Sequence, residues 1–346
     1  MFQRILVPLD GSTHSEFAVA VAARLARASG GSLILAHMVA ALTSSESDQD
    51  WQGAMAQDTA SSQAAKGGVA STQRAQQSER SKVVARTDGY LHMVMQTYAD
   101  ELKNTHVEAE RVEVSSLSTS LVSATSLEQV DLIIMCVQGE LFFNHWLFNH
   151  IPRHAIRRST VPVLVLNEQG TLLDAPDGAH PFHVLVPLDG SALAEAVLEP
   201  VAQLLMALTL PEQHVVVQLL DILDGAHVRD HRHGEHASYE RTRDEAVAYL
   251  KTVAERIGRT WQSKPTLITS VLLSSEVPAT ILHQAERVTD VQAPFGCDLI
   301  AMSTRSRDGI QRLLHGSVTE QILGSSRFPC LVVTPAVPHK PVPSST

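Results

Sequence analysis

The chain has 346 residues, 44% of them hydrophobic and 18% charged, with 27 Lys or Arg against 37 Asp or Glu and a formal net charge of −10. Such a length suits two domains that each bury a core, and the composition is globular, neither disordered nor fibrous. An acidic balance argues against broad contact with nucleic acid or an anionic membrane, and no apolar run reaches the roughly 18 residues that a spanning helix needs.

The chain opens MFQRILVPLDG and enters an apolar run at once, with no charged leader or cleavage site ahead of it, so the expected location is the cytoplasm. Ile5–Leu9 is the first predicted strand, Ser15–Ala28 an Ala-rich helix closed by Gly30-Gly31, and Ser32–Val39 the next strand. Residues 43–82 are Ser, Gln, Ala and Gly with few branched apolar side chains, a composition expected to form a mobile insertion. Then come a helix at Val83–Lys103, a strand at Val107–Val114, a helix at Leu121–Gln129, a strand at Asp131–Val137, a helix at His150–Arg158 and a strand at Val161–Leu166. Turn residues fill 168–180, the expected linker.

After the linker the pattern starts again. ILVPLDGST at residues 5–13 returns as VLVPLDGSA at 184–192, an offset of 179. VDLIIM at 130–135 returns as CDLIAM at 297–302, and VPVLVL at 161–166 as FPCLVV at 328–333, both at an offset of 167. The second copy predicts strands at 183–188, 214–222, 266–273, 298–303 and 329–334, with helices at 192–207, 240–259, 278–288 and 317–325 between them. Apolar strands alternating with helices mean parallel strands and right-handed crossovers. The fold class is therefore α/β, two doubly wound five-stranded parallel-sheet domains of Rossmann-like type, spanning 1–167 and 181–336, with a flexible tail at 337–346.

In an open parallel sheet, ligands bind beyond the carboxyl ends of the strands where strand order reverses. Asp10-Gly11-Ser12 and Asp189-Gly190-Ser191 fall there. Two readings of the motif stay open: a carboxylate that accepts from a ligand's amino or hydroxyl group, or an Asx-type turn feeding a helix N-cap. Past the fourth strand of the second copy stands MSTRSRDGIQRLLHGSVTEQIL, residues 302–323. Backbone N–H groups at the Gly316-Ser317 helix start make an anion site, and Arg305, Arg307 and Arg312 add positive charge.

Taken together, these motifs resemble a tandem universal stress protein, and the resemblance covers both copies. It rests on the strand followed by Asp-Gly-Ser, the D-L-I-x-M strand, and a loop spaced G-x2-G-x9-G-[S/T]. In ATP-binding members, the Asp after the first strand and a backbone group of the second strand hold adenosine, and the loop holds the phosphates. Carried onto this chain, the resemblance implies a nucleotide site made by Asp189, Leu220, Ser303, Thr304, Arg305, Ser306, Arg307, Gly316 and Ser317. It also implies ATP as ligand, with Mg, a stress-response role, pairing of the two domains through their last strands, and a homodimer as a further partner.

Both early loop glycines are serine here, Ser303 and Ser306. A Cβ at positive φ costs roughly 1–2 kcal/mol, although a hydroxyl can donate to phosphate. The first copy departs further: Cys136, Gly139, Asn149 and His150 stand at the corresponding positions, and Glu140 replaces Arg307. A carboxylate beside a phosphate in a partly dry site costs more than about 1 kcal/mol. LFFNHWLFNH at 141–150 is aromatic where the second copy is basic, so the first copy is expected to pack rather than bind nucleotide.

Three other features carry less. SGGS at 29–32 follows a helix and reads as its C-cap, and no P-loop motif is present. HVRDHRHGEH at 227–236 holds four His, one Asp and one Glu at no common metal spacing, so it reads as a solvated loop and no metal site is assigned. Cys136, Cys297 and Cys330 sit in or beside apolar runs and form no C-x-x-C pair, as buried reduced thiols do. No order of residues marks a positioned catalytic base, so the expected activity is at most slow ATP hydrolysis. The alternative is a nucleotide-free interaction scaffold of the same class.

Overall fold

The structure is a computed structural model, and it describes residues 1–40, 69–114, 129–137, 159, 161–167, 172, 181–210, 212–224, 235–287, 296–304 and 318–335. The first half runs β1 (Arg4–Leu9), α1 (Thr13–Ser29), β2 (Ser32–Ala40), α2 (Val69–Thr97), α3 (Ala99–Leu102), β3 (His106–Val114), β4 (Leu132–Val137) and β5 (Val163–Asn167). The second half runs β6 (Phe182–Leu188), a 3-10 turn (Ala194–Val197), α4 (Leu198–Leu208), β7 (Val215–Asp224), α5 (Glu235–Thr260), β8 (Thr266–Ser274), α6 (Val277–Glu286), β9 (Leu299–Ser303), α7 (Val318–Ser325) and β10 (Cys330–Val333).

All ten strands join one sheet in the order β3-β2-β1-β4-β5-β10-β9-β6-β7-β8. Within each half every pairing is parallel, and the one antiparallel pairing sets Cys330 of β10 opposite Val165 of β5. β1 lies between β2 and β4, and β6 between β7 and β9. These are the points where strand order reverses, so Asp10 and Asp189 stand at the two crevices that open beyond the strand ends.

The strands are apolar on both faces because helices cover both. Ile5, Val7 and Leu9 of β1 face one hydrophobic layer, and Leu6 faces the other. The first layer runs through both halves, from Leu33 and Leu164 to Leu331 and Leu219. Side-chain bonds cross the junction as well: Arg24 Nη2 donates to Leu208 O at 2.6 Å, and Asn167 Nδ2 to Ser326 O at 2.9 Å.

α1 begins where Ser12 Oγ accepts from Ser15 N, and it ends at Gly30, whose left-handed φ of 63° glycine adopts without the strain of a Cβ. The corresponding helix of the second half differs from the expected 192–207. Its first turn is the tight 3-10 element, and α4 starts only at Leu198. Pro200 explains the change: it has no N–H to give and its ring crowds the carbonyl four residues back.

The expected mobile insertion at 43–82 is corrected at its end, because residues 69–82 belong to α2. Few branched apolar residues do not forbid a helix; Ala, Gln, Arg, Glu and Lys are good helix formers. Extension costs little once Thr87, Leu91 and Val94 are buried further along the same helix. Likewise α5 starts at Glu235, so Glu235 and His236 of the His-rich stretch are helical. Residues 227–234, all but Gln129 of the helix expected at 121–129, the helix expected at 150–158, most of the linker and the tail lie outside the described residues.

Candidate functional site

Each crevice is floored by the same turn. Asp189 Oδ1 accepts from Ser191 N at 3.1 Å and from Ser191 Oγ at 2.6 Å, while Ser191 Oγ accepts from Ala194 N at 3.1 Å. In the first half Asp10 Oδ1 accepts from Ser12 N at 2.8 Å, and Ser12 Oγ from Ser15 N at 3.2 Å. The Asx turn is therefore present in both copies, and in the first it leads into the Ser12 cap of α1. These turns also hold the carboxylate at the rim, with Gly190 at φ 79° and Gly11 at φ 84° making the bend.

Of the residues read from the sequence, Asp189, Leu220, Ser303 and Thr304 are described. Asp189 is exposed at the end of β6. Ser303 ends β9, and its Oγ donates to Ala194 O at 3.2 Å, which ties it to the same 3-10 turn. Thr304 is buried and turns the other way: its N–H donates to Val333 O at 2.7 Å, and its hydroxyl meets Thr334 Oγ1 at 3.4 Å. Leu220 is fully buried with its side chain in the second hydrophobic layer, so only its main chain is left to meet a ligand. Arg305, Ser306, Arg307, Gly316 and Ser317 lie outside the described residues.

The neighbour of Leu220 was not singled out in the sequence. Asp221 pairs with Leu188 on β6, directly before Asp189. A lone carboxylate in the apolar run VVVQLLDIL was the available signal. It is 7% exposed, and its carboxyl is pushed up to about 6, first by burial and then by the charge of Asp189. Near it stands Tyr249 of α5, whose hydroxyl is raised by burial and by Glu195, a carboxylate ion-paired with Arg256.

The first half has His37 at that register position, paired with Leu9 before Asp10. Its Nδ1 lies 3.3 Å from the buried Thr87 hydroxyl, and its ring packs at 4.6 Å on Tyr90. Burial lowers its pKa, and the Asp10 carboxylate opposes that shift. The imidazole also reaches over the turn: a methyl built on Gly11 would sit 3.7 Å from His37 Nε2. One built on Gly190 meets no heavy atom of the described residues within 4 Å. The same backbone thus carries a covered turn in one half and an open one in the other.

Among the described residues no three His, Cys, Asp or Glu side chains converge to hold a metal ion. No described helix is long and apolar enough to cross a membrane.

A universal stress protein from Archaeoglobus fulgidus DSM 4304 matches 96% of this chain and 98% of its own, at 15% identity and a TM-score of 0.52. A Pseudomonas aeruginosa UCBPP-PA14 protein described as of that family matches 96% of this chain and 94% of its own, at 13% identity and a TM-score of 0.56. A universal stress protein solved in complex with cAMP matches 48% of this chain and 97% of its own, at 18% identity and a TM-score of 0.31. At such identities the likeness to the first two speaks for the fold. No curated protein matches the chain. The universal stress protein family model matches it twice, at residues 1–167 and 182–334. The chain therefore belongs to the universal stress protein family, as two copies of the family's domain in tandem.

Proposed function

We propose that this is a stress-response regulatory protein that binds ATP or a related adenine nucleotide in its second half. The observation that carries the reading is the contrast between the two turns. Among the described residues nothing lies within 4 Å of a methyl built on Gly190 beside Asp189, whereas His37, packed on Tyr90, meets one built on Gly11 in the first half. A carboxylate at the carboxyl end of parallel strands accepts hydrogen bonds from an adenosine, and positive loop residues such as Arg305 and Arg307 suit its phosphates. Ser306 brings a hydroxyl donor where the family pattern has glycine, whereas the Ser303 hydroxyl donates to Ala194 O. Magnesium, in this reading, arrives on the phosphates and not on a protein cage.

The proposed units are 1–167, a linker at 168–180, and 181–336, in a cytoplasmic protein. No group of the described site is positioned to activate water, so any hydrolysis is slow. The rival reading, a scaffold without nucleotide, draws on the two serines in the loop.

Mass spectrometry of the freshly purified chain, followed by thermal unfolding with and without ATP, separates the two. Co-purified adenine nucleotide is expected, and ATP at about 100 times its Kd stabilises by roughly 2.7 kcal/mol. No bound nucleotide and no shift leave the scaffold reading standing.

A further inference from the structure

The two halves keep the same turn but differ at one register position, His37 in the first and Asp221 in the second. In the first half an imidazole that burial biases toward its neutral form stands beside Asp10, so no second negative charge is added there. In the second the exchange sets two carboxylates together, and the only donor that Asp221 meets among the described residues is the backbone N–H of Ile222. Asp221 is 7% exposed, an unusual place for a carboxylate that meets no cation among the described residues. Among the described residues, the groups that face it do not neutralise it. Asp189 at the end of β6 is acidic, Glu195 on the 3-10 turn is held by Arg256 of α5, Tyr249 of α5 carries no positive charge, and β8 has no ionisable side chain from Thr266 to Ser274.

We propose that Asp221 is a ligand-binding residue: with Asp189 it forms a two-carboxylate acceptor for the hydroxyl- and amine-bearing end of the nucleotide. The inference rests on the nucleotide reading above and adds the group that recognises the ligand's neutral end. Ionised carboxylates only accept hydrogen bonds, and two of them side by side repel unless donors lie between them. Ribose hydroxyls and an exocyclic amine supply such donors. A phosphate is repelled by the same pair, so the acceptors also fix which way round the nucleotide lies. Protonating Asp221 removes one acceptor, and binding then weakens in acid.

The test measures affinity of the full chain for ATP and for 2′,3′-dideoxy-ATP from about pH 5 to about pH 8, in the natural protein, Asp221→Asn and Asp221→His. ATP is expected to bind about tenfold tighter near pH 7.5 than near pH 5. The dideoxy analogue binds the natural protein more weakly than ATP at the upper end. Asp221→Asn flattens the pH profile and narrows the gap between the two ligands. Asp221→His, which puts an imidazole where His37 stands in the first half, weakens ATP about tenfold or more. A flat natural profile overturns the proposal, and so does an Asp221→Asn chain with both slope and discrimination intact, or an Asp221→His chain that binds normally. Absence of ATP binding at every pH defeats the nucleotide reading itself. Binding that ignores Asp221 defeats only this inference.

Discussion

Leu164 of β5 lies opposite Leu331 of β10, and both are fully buried in the hydrophobic layer that runs from one half to the other. The last strand of each half is thereby an inner strand of the ten-stranded sheet, its backbone edge paired and not exposed.

This relationship makes the halves depend on each other. Leu331→Ala is expected to cost about 2–5 kcal/mol, the usual range for emptying a buried leucine site. Denaturant unfolding followed by two probes, one per half, checks it. Both transitions should move together; a shift confined to the second half would mean that the junction transmits no stability.

Asp221→Asn should raise stability at neutral pH. The folded carboxyl titrates at about 6 against an ordinary 3.8, so the native state holds its proton more tightly than the unfolded chain. That contribution is complete below about pH 4 and is lost as pH rises through about 6. With allowance for solvent screening, the difference is about 1–2 kcal/mol, read as a stability gap between variant and natural protein that opens from acid to neutral pH. Equal gaps at pH 4 and pH 7.5 would refute it.

His183 of β6 carries the opposite sign. It is 4% exposed, and burial lowers its pKa from 6.5 while the neighbouring Gln218 side chain opposes the shift. The native state therefore takes up its proton less readily than the unfolded chain. Stability from this group is present above about pH 6.5 and falls as the solution is acidified below it. His183→Gln should remove that part of the acid sensitivity in urea titrations between about pH 7 and pH 5, and an unchanged slope would show that other groups cause it.

Gly11→Ala and Gly190→Ala place a side chain at φ 84° and 79°, respectively. Each is expected to cost about 1 kcal/mol of stability from backbone strain. Their effects on nucleotide should differ, because among the described residues nothing stands within 4 Å of a methyl at Gly190, whereas His37 meets one at Gly11. Calorimetric titration with ATP is expected to lose affinity in Gly190→Ala and to be indifferent to Gly11→Ala. Equal losses would place nucleotide in both crevices.

Much of this was legible in the order of residues. Apolar runs bounded by Gly and Pro placed the strands to within a residue or two, since a strand buried on both faces has no other way to be written. The twice-written PLDGS turn placed both crevices, and Gly30 placed the end of α1. What failed was local competition. Pro200 tightened the start of the second half's first helix, and a helix rooted at Leu91 and Val94 extended back into residues 69–82 that looked too polar to order. Asp221 was missed because its meaning is not local: it becomes part of the crevice through pairing with Leu188, 33 positions earlier.

The sequence by itself determined the duplication, the parallel α/β halves and the family, because these follow from periodicity and from motifs whose spacing is written along the chain. Only the tertiary structure decided that β5 meets β10 antiparallel, that His37 covers one turn and that Asp221 crowds Asp189 at the other. Those outcomes depend on which side chains arrive at the same place through register across strands, and register is set by packing between segments far apart in the chain.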